Sequence, residues 1–599
     1  MDESLKNTVL FEASWEVCNK VGGIYTVITS KAAHALATFG DDYFMVGPFE
    51  EQHPHGFEQH SPPAHLRSAI DRLLQKGIQC TYGRWNIPGK PQVILVDVRN
   101  YTYATNDIKR MLWEKYSIDS LGTDFFDFDK PVVWSWAVGM LIDEFSAESD
   151  KKIIGHFHEW LAGAGSLYLN MYNPSIATVF TTHATVLGRA LAERHSNIYE
   201  ILTTLSPEEK AKELNLNAKF HLERASAQKS HTFTTVSEIT AQEAEHFLKR
   251  KPDILTYNGL DINALPTPDK INATRTITRE KLNKLCTALF FPHAPFDISS
   301  ALFVGLFGRY EYHVKGIDIT INALKSINER LKMENSERTI VCFFFIPMGG
   351  KGIRQELLDS LETVDECRTT FEIISSDMFL RLINAQCTGK PISSHVIFSD
   401  SYGAQLEDAV QKLKGPNPPL KTTHYIDNEH NNLLLNSLKE QGLDNSKDQR
   451  VKAIFCPIYL ESDDGLLNAE YEEVVAACDI GLYPSYYEPW GYTPLEAVSL
   501  CVPSITTNVA GFGRFVATLS DNEALGINKN ALHIIDRKNT SSEEASRMLA
   551  ETLKKFITFS PEEIQNARLT ARKIAEHADW KEFFTRYKEA YLYACEHSK

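Results

Sequence analysis

An α/β protein of two doubly wound domains is what this sequence predicts, and three observations predict it. The chain has 599 residues, well beyond a single hydrophobic core, so two domains of roughly 250–300 residues each are expected. An apolar strand, a glycine loop and a helical pattern follow one another near the amino terminus. A strand, a glycine and a helix recur in that order from Ala301. This alternation is the mark of parallel βαβ units. The first domain is expected over residues 1–265, a connection rich in Pro, Asp, Thr and Lys over 266–299, and the second domain over 300–579.

Composition narrows the classes. Apolar residues make up 43% and charged residues 23%, as in an ordinary globular protein. The formal charge of −16 argues against a nucleic-acid partner, which would need a basic face. A local cluster of Lys and Arg could still hold an anionic substrate. The ten cysteines stand singly, without a C-x-x-C pair, which reads as reduced intracellular thiols. The first residues, MDESLKN, are polar and acidic, so no leader is expected. No apolar run reaches the ~20 residues needed to span a bilayer. A soluble cytoplasmic protein without a membrane partner is expected.

Taken in order, Val9–Ala13 reads as a strand, Lys20-Val21-Gly22-Gly23 as a loop, and Ile24–Thr38 as a helix. The double glycine lets phosphates approach the backbone and Lys20 adds charge; read alone it is equally a tight turn. Val93–Asp97 and Lys152–His156 are further strands, the second running into His156-Phe157-His158-Glu159. An H-x-H pair beside a Glu invites a metal, but no third ligand of convincing spacing follows, so none is expected. The strand Ile176–Thr182 delivers His183 and a loop ending at Arg189. His183 falls at the carboxyl end of a parallel strand, where open α/β sheets bind ligands. Arg189 carries a planar fork suited to phosphate. Their plain readings are a capping His and a surface Arg.

In the second half, Ala301–Phe307 delivers Gly308-Arg309-Tyr310-Glu311, and Lys315 precedes a helix over Ile317–Leu331. Arg309 and Lys315 form a plausible pair against negative charge. Residues 354–422 read as a helical insertion. A helix over Asn468–Cys478 carries Tyr471, and the strand Asp479–Tyr483 leads into PSYYEPWGYTPLEA. There the chain crosses a loop with Glu488 and enters a helix near Thr493-Pro494. Gly491, Tyr492 and Thr493 should aim their backbone N–H groups beyond the strand, backed by the helix dipole, as an anion cradle. Glu488 and Glu496 flank it. A diphosphate on the amides with a carboxylate on sugar hydroxyls would suit a sugar nucleotide; the bland reading is an ordinary strand-to-helix turn.

The E-x7-E spacing of Glu488 and Glu496, with Ser504–Asn508 and Gly511-Phe512-Gly513 after it, resembles the retaining glycosyltransferases of the GT-B fold. Over nearly the whole chain the motifs resemble the animal and fungal type of glycogen synthase. That resemblance implies a GT-B fold, with the last helix, 580–599, returning to the first domain. It implies UDP-glucose as donor, a glycogen or other α-1,4-glucan end as acceptor, retention of configuration, and no bound cofactor or metal. By it, Glu488, Arg309, Lys315, His183 and Glu496 are catalytic candidates. Lys20, Gly23, Arg189, Tyr471, Trp490, Gly491, Tyr492 and Thr493 are donor contacts, Tyr471 by stacking on uracil. It also implies a homo-oligomer, dimer or tetramer, with subunit contacts in the insertion. A transferase making trehalose phosphate, or a non-catalytic glucan-binding scaffold, are the competing readings.

The chain also departs from that family. Thr267–Asn272 lacks the histidines of the family's glucose 6-phosphate pocket, and Asp479 stands where the family has a His. The helix Pro561–His577 keeps only Arg568, Arg572 and Lys573 as bases, and no long tails are seen. A synthase insensitive to glucose 6-phosphate is expected, although Lys270 and Arg275 could form a different anion pocket.

Overall fold

A computed structural model of the chain describes residues 5–50, 56–194, 198–291, 293–393, 400–413, 419–520 and 530–598. Two parallel sheets organise it. The first runs β1 (Thr8–Ala13), β2 (Tyr43–Pro48), β3 (Phe57–Gln59), β4 (Gln79–Trp85), β5 (Gln92–Asp97), β6 (Lys152–His158), β7 (Ala177–Thr182), β8 (Thr232–Thr235) and β9 (Ile254–Leu255). Its spatial order is β3-β4-β5-β2-β1-β6-β7-β8-β9, with β3 and β4 paired antiparallel at one edge. From β1 the chain winds outward through β2 to β5, then returns to β6 and winds the other way. The order therefore reverses between β1 and β6, and at such a switch point the loops beyond the carboxyl ends part to leave a crevice.

The second sheet repeats the device. It comprises β10 (Leu302–Phe307), β11 (Ile340–Phe345), β14 (Val451–Cys456), β15 (Ile480–Leu482), β16 (Ser504–Thr507) and β17 (Leu532–Ile535). Their order is β14-β11-β10-β15-β16-β17, all parallel, so the reversal falls between β10 and β15. A small antiparallel pair, β12 (Gly350–Ile353) and β13 (His424–Ile426), flanks the insertion. The central strands are apolar end to end: all six residues of β1 are buried, as are five of six in β10. Strands covered by helices on both faces need that pattern.

The stretch 266–299, expected as a connection, contains a 23-residue helix, Pro268–Phe290. Leu282, Leu285, Cys286, Leu289 and Phe290 on it pack with second-domain residues such as Phe343 and Val474. The helix Trp580–His597 lies against the first sheet: Tyr591 is hydrogen-bonded to His156 on β6, and Ala590 accepts from Thr232 on β8. The insertion holds a long helix, Gln355–Cys387, and a second, Asp400–Leu413.

An aromatic junction joins the domains. Trp490 stacks on Tyr257 at 5.4 Å and packs against Phe512, Phe515 and Phe583. Next to it, the Ser237 hydroxyl donates to the Pro489 carbonyl at 2.5 Å, and the Tyr487 hydroxyl to buried Glu243 at 3.1 Å. Thus the loop carrying Glu488 is braced by the first domain on both sides of that residue.

Candidate active site

Both switch points open onto one cleft. From the second domain come the loop after β10, with Arg309 and Lys315, and the loop after β15, with Glu488. The Lys315 ammonium lies 2.6 Å from Glu488 Oε2, which also accepts from the Ser485 hydroxyl at 3.2 Å. Two glycines make this possible. Gly316, at φ +68°, turns the chain behind Lys315, and a Cβ there would stand 2.2 Å from the Pro484 carbonyl oxygen. Gly491, at φ +109°, caps the helix Tyr492–Ser499, and a Cβ there would press on Glu488 Cγ at 3.2 Å. Side chains are disfavoured at such φ values. The loop thus turns sharply enough to set Glu488 beside the first amides of that helix, where an anion is favoured.

Glu496, one turn inside the same helix, accepts from the Tyr471 hydroxyl at 3.0 Å. Burial pushes its carboxyl up to about 7, against that hydrogen bond. Tyr471 meets Phe307 edge-on and is half-buried at the mouth. Tyr492 points its hydroxyl at the Gly259 carbonyl, 3.3 Å away in the first domain. The Trp490 ring is committed to the junction described above, so what Trp490 and Tyr492 turn toward the cleft is backbone.

The first domain supplies the facing wall. The loop after β1 brings Glu16 to the start of the helix Gly23–Phe39, where its carboxylate accepts from the Gly22 and Tyr25 amides at 2.8 Å each. Burial raises its pKa, opposed by those amides, by Arg189 on the same wall and by Arg309 across the cleft. Lys20 and Gly23 are exposed beside it, with open space over Gly23. The Arg189 guanidinium makes no hydrogen bond or ion pair among the described residues; it stands near Tyr487, Glu159 and Glu311, which hold its charge against the cost of burial. Arg309 pairs with Glu311 at 2.9 Å and remains largely exposed.

His183 is buried, and its Nε2 is hydrogen-bonded to His158 Nδ1 at 2.9 Å. His158 continues to Glu12 Oε1 at 2.7 Å, and Glu12 also binds Lys31 and Tyr43. Burial drives His156, His158 and His183 well toward the neutral form. A chain of fixed partners therefore sets the face His183 presents. Glu159 accepts from the His183 and Ala184 amides at 2.8 and 3.1 Å while holding φ +66°, an unusual value for a non-glycine residue. Its role was invisible in the sequence, where it read only as a neighbour of the H-x-H pair.

Glu12, His156 and His158 bring three potential ligand atoms within 4.8 Å of one another, and Glu12 is the third partner that the spacing of the sequence did not reveal. The group does not fit a metal ion. The fully buried Lys31 ammonium sits on Glu12 and supplies the positive charge. Both His156 nitrogens are taken, by Thr181 at 2.7 Å and by Tyr591 at 3.1 Å.

Two doubly wound domains whose switch points face one cleft are the architecture of a GT-B glycosyltransferase. The catalytic domain of Arabidopsis thaliana starch synthase IV, in a structure bound to ADP and acarbose, shares the fold with a TM-score of 0.52 at 14% identity, each chain covered to 99%. The glycogen synthase family profile matches residues 12–598, and the chain belongs to that family. Glycogen [starch] synthase isoform 2 of Saccharomyces cerevisiae is 33% identical over 616 residues, covering 98% of this chain and 86% of the yeast protein. The mouse liver glycogen [starch] synthase is 33% identical over 595 residues, covering 98% and 83%.

Proposed function

We propose that this chain transfers glucose from UDP-glucose to the non-reducing end of an α-1,4-glucan with retention at the anomeric carbon. Family membership over nearly the whole chain supports the reaction. The observation that carries the site assignment is the Lys315–Glu488 contact of 2.6 Å, beside the amides of the Tyr492–Ser499 helix. As the sugar–phosphate bond breaks, negative charge grows on the leaving UDP. Lys315, Arg309, Arg189 and those amides are fixed donors for it, and such preorganised donors are usually the largest catalytic term. Glu488 would hold sugar hydroxyls and stabilise positive character at the anomeric carbon. Tyr471 would stack on uracil, and His183, held neutral, would bond a sugar hydroxyl. Lys20 and the open space over Gly23 would admit the diphosphate from the first-domain side.

The test is UDP release measured with and without glycogen. Glycogen-dependent release supports the reading; release unaffected by glycogen, or turnover with ADP-glucose alone, contradicts it. No metal enters this scheme, so full activity in EDTA is expected. Loss in EDTA restored by zinc or magnesium would overturn that part.

We further propose that glucose 6-phosphate does not activate the enzyme. Asp479 is held between Arg275 Nη2 at 2.5 Å and Arg279 Nη1 at 2.9 Å, so an internal carboxylate already occupies both basic groups and offsets part of their charge. An activator must bind one state better than the other, and it would meet Asp479 there. Arg568, buried next to that pair with both terminal nitrogens unpartnered among the described residues, is the group an anion would have to reach. Several-fold activation by millimolar glucose 6-phosphate at sub-saturating donor would contradict the proposal.

A homo-oligomer, dimer or tetramer, completes it. Phe371, Ile373, Phe379 and Leu380 on the insertion helix are more than half exposed, and apolar surface of that kind favours a protein contact. The ten free cysteines support a reducing, cytoplasmic setting, and no helix among the described residues is long and apolar enough to cross a membrane.

A further inference from the structure

The reversal between β1 and β6 buries a line of polar side chains that ends at the cleft. Glu12 on β1, Lys31 on the Gly23–Phe39 helix and His158 on β6 have no exposed side-chain surface, and His183 after β7 is only 7% exposed. Lys31 forms an ion pair with Glu12 Oε1, and the Tyr43 hydroxyl donates to Oε2 at 2.5 Å. His158 Nε2 meets Glu12 Oε1 at 2.7 Å, and His158 Nδ1 meets His183 Nε2 at 2.9 Å. His183 Nδ1 has no partner among the described residues and is not sealed from solvent. So deep an ion pair is weak support for stability. Its effect lies further along the line.

Charge at one end sets the protons at every later step. Burial works against an ionised Glu12, but the Lys31 ammonium and the His158 hydrogen bond outweigh it and hold the carboxyl well below its usual range. An ionised carboxylate can only accept. His158 Nε2 must therefore carry a proton. Burial keeps the His158 ring neutral, so its Nδ1 is bare and accepts. The proton shared between the two rings then belongs to His183 Nε2. Burial keeps His183 neutral too, and in a neutral imidazole the bond made by one nitrogen decides the state of the other. His183 Nδ1 is bare. The cleft is shown an acceptor and no donor.

We propose that Glu12, with Lys31 as its counter-ion, is a positioning residue that fixes His183 as an acceptor, so that the donor sugar must give it a hydroxyl proton. The proposal rests on the donor-site reading given above. A hydroxyl donates and accepts, whereas a fluorine in its place cannot donate. A sugar without a proton to give at that position would leave the His183 acceptor unpaired, and unpaired buried polar groups are what lets a site reject a near-isostere.

The experiment takes two readouts on the full chain. Nitrogen NMR of protein labelled in its histidine rings reports which ring nitrogens carry protons, and the His183 signals are assigned by their loss in His183→Ala. Competition against UDP-glucose by its monodeoxyfluoro analogues reports what the ring asks of the sugar. Wild type should show His183 protonated on Nε2 and bare on Nδ1. One analogue should bind about tenfold or more weaker than UDP-glucose, and that penalty should fall below about threefold in His183→Ala. Glu12→Gln combined with Lys31→Met removes both charges without leaving one unpaired. The amide can accept from His158 or donate to it, so either direction along the line becomes open. In that variant the same penalty should shrink at least about threefold, whereas a merely structural role would weaken every donor alike. A wild-type His183 protonated on Nδ1, or a fluorine penalty unchanged in the double variant, would overturn the proposal. If the double variant folds poorly, the wild-type nitrogen signals and the analogue series still decide. Wild-type protein that binds no UDP-glucose would overturn the donor reading instead, and the nitrogen signals would still decide the direction of the protons.

Discussion

In the proposed reaction, Lys315 and Glu488 are the pair on which the chemistry turns. With donor bound, the Lys315 charge is placed to meet the leaving diphosphate, so Lys315→Ala should lower kcat by roughly 100-fold or more, the scale of losing one preorganised donor. Arg309→Ala should do the same and should alter unfolding little, since Arg309 is exposed. Near-normal turnover in either variant would remove that residue from the mechanism. The two acids should differ sharply. Burial pushes Glu496 up to about 7, so Glu496→Gln resembles a form it already adopts, whereas Glu488→Gln removes the charge beside Lys315. Steady-state rates should show Glu488→Gln far more damaging, and equal losses would contradict the assignment.

A third residue-scale outcome concerns Glu243. It accepts from Thr185, Tyr199 and Tyr487, yet burial pushes it up to about 7 from an ordinary 4.5. The native state therefore binds the proton more tightly than the unfolded chain. Its contribution to stability is full below about pH 4.5 and is lost as pH rises through about 7, a swing on the order of 3 kcal/mol. Glu243→Gln cannot titrate, so urea unfolding at pH 5 and pH 8 should show a smaller fall with pH than in wild type. Equal falls would contradict the placement.

At the scale of elements, the site is built by two turns that only glycine fits well. Gly316→Ala would set a methyl 2.2 Å from the Pro484 carbonyl and add left-handed backbone strain of about 1–3 kcal/mol. The Lys315 turn must then shift away from Glu488. A lowered Tm together with at least about a tenfold loss of turnover is expected, and an unchanged rate would show that Lys315 needs no such positioning. Much of this was legible. Apolar runs located the central strands, and Pro and Gly located the turn into the Tyr492–Ser499 helix, because those signals are local. The helix Pro268–Phe290 escaped because its inward side includes the half-buried Arg275 and Arg279, whose ion pairs to Asp479 break the apolar period. The antiparallel edge strands β3 and β4 were passed over: β3 has three residues and β4 mixes exposed with buried positions. Nor could spacing reveal that Glu12 meets His158, 146 residues away, or that Lys31 lies between them and any metal.

Across the whole molecule, the account is that two reversals of strand order face each other and that their loops make one transferase site. The reversal between β1 and β6 brings Glu16, His183 and Arg189; the reversal between β10 and β15 brings Arg309, Lys315 and Glu488. The junction around Trp490, Ser237 and Tyr487 holds the two halves in register, which is why residues more than 300 positions apart in sequence can share a cleft. The most direct test of this claim follows labelled glucose from UDP-glucose into glycogen and then digests the product with β-amylase, which removes maltose from α-1,4-linked non-reducing ends. The account predicts label released as maltose by wild-type protein and almost none by Lys315→Ala. Label that fails to enter glycogen, or that enters in a form β-amylase cannot release, would contradict it.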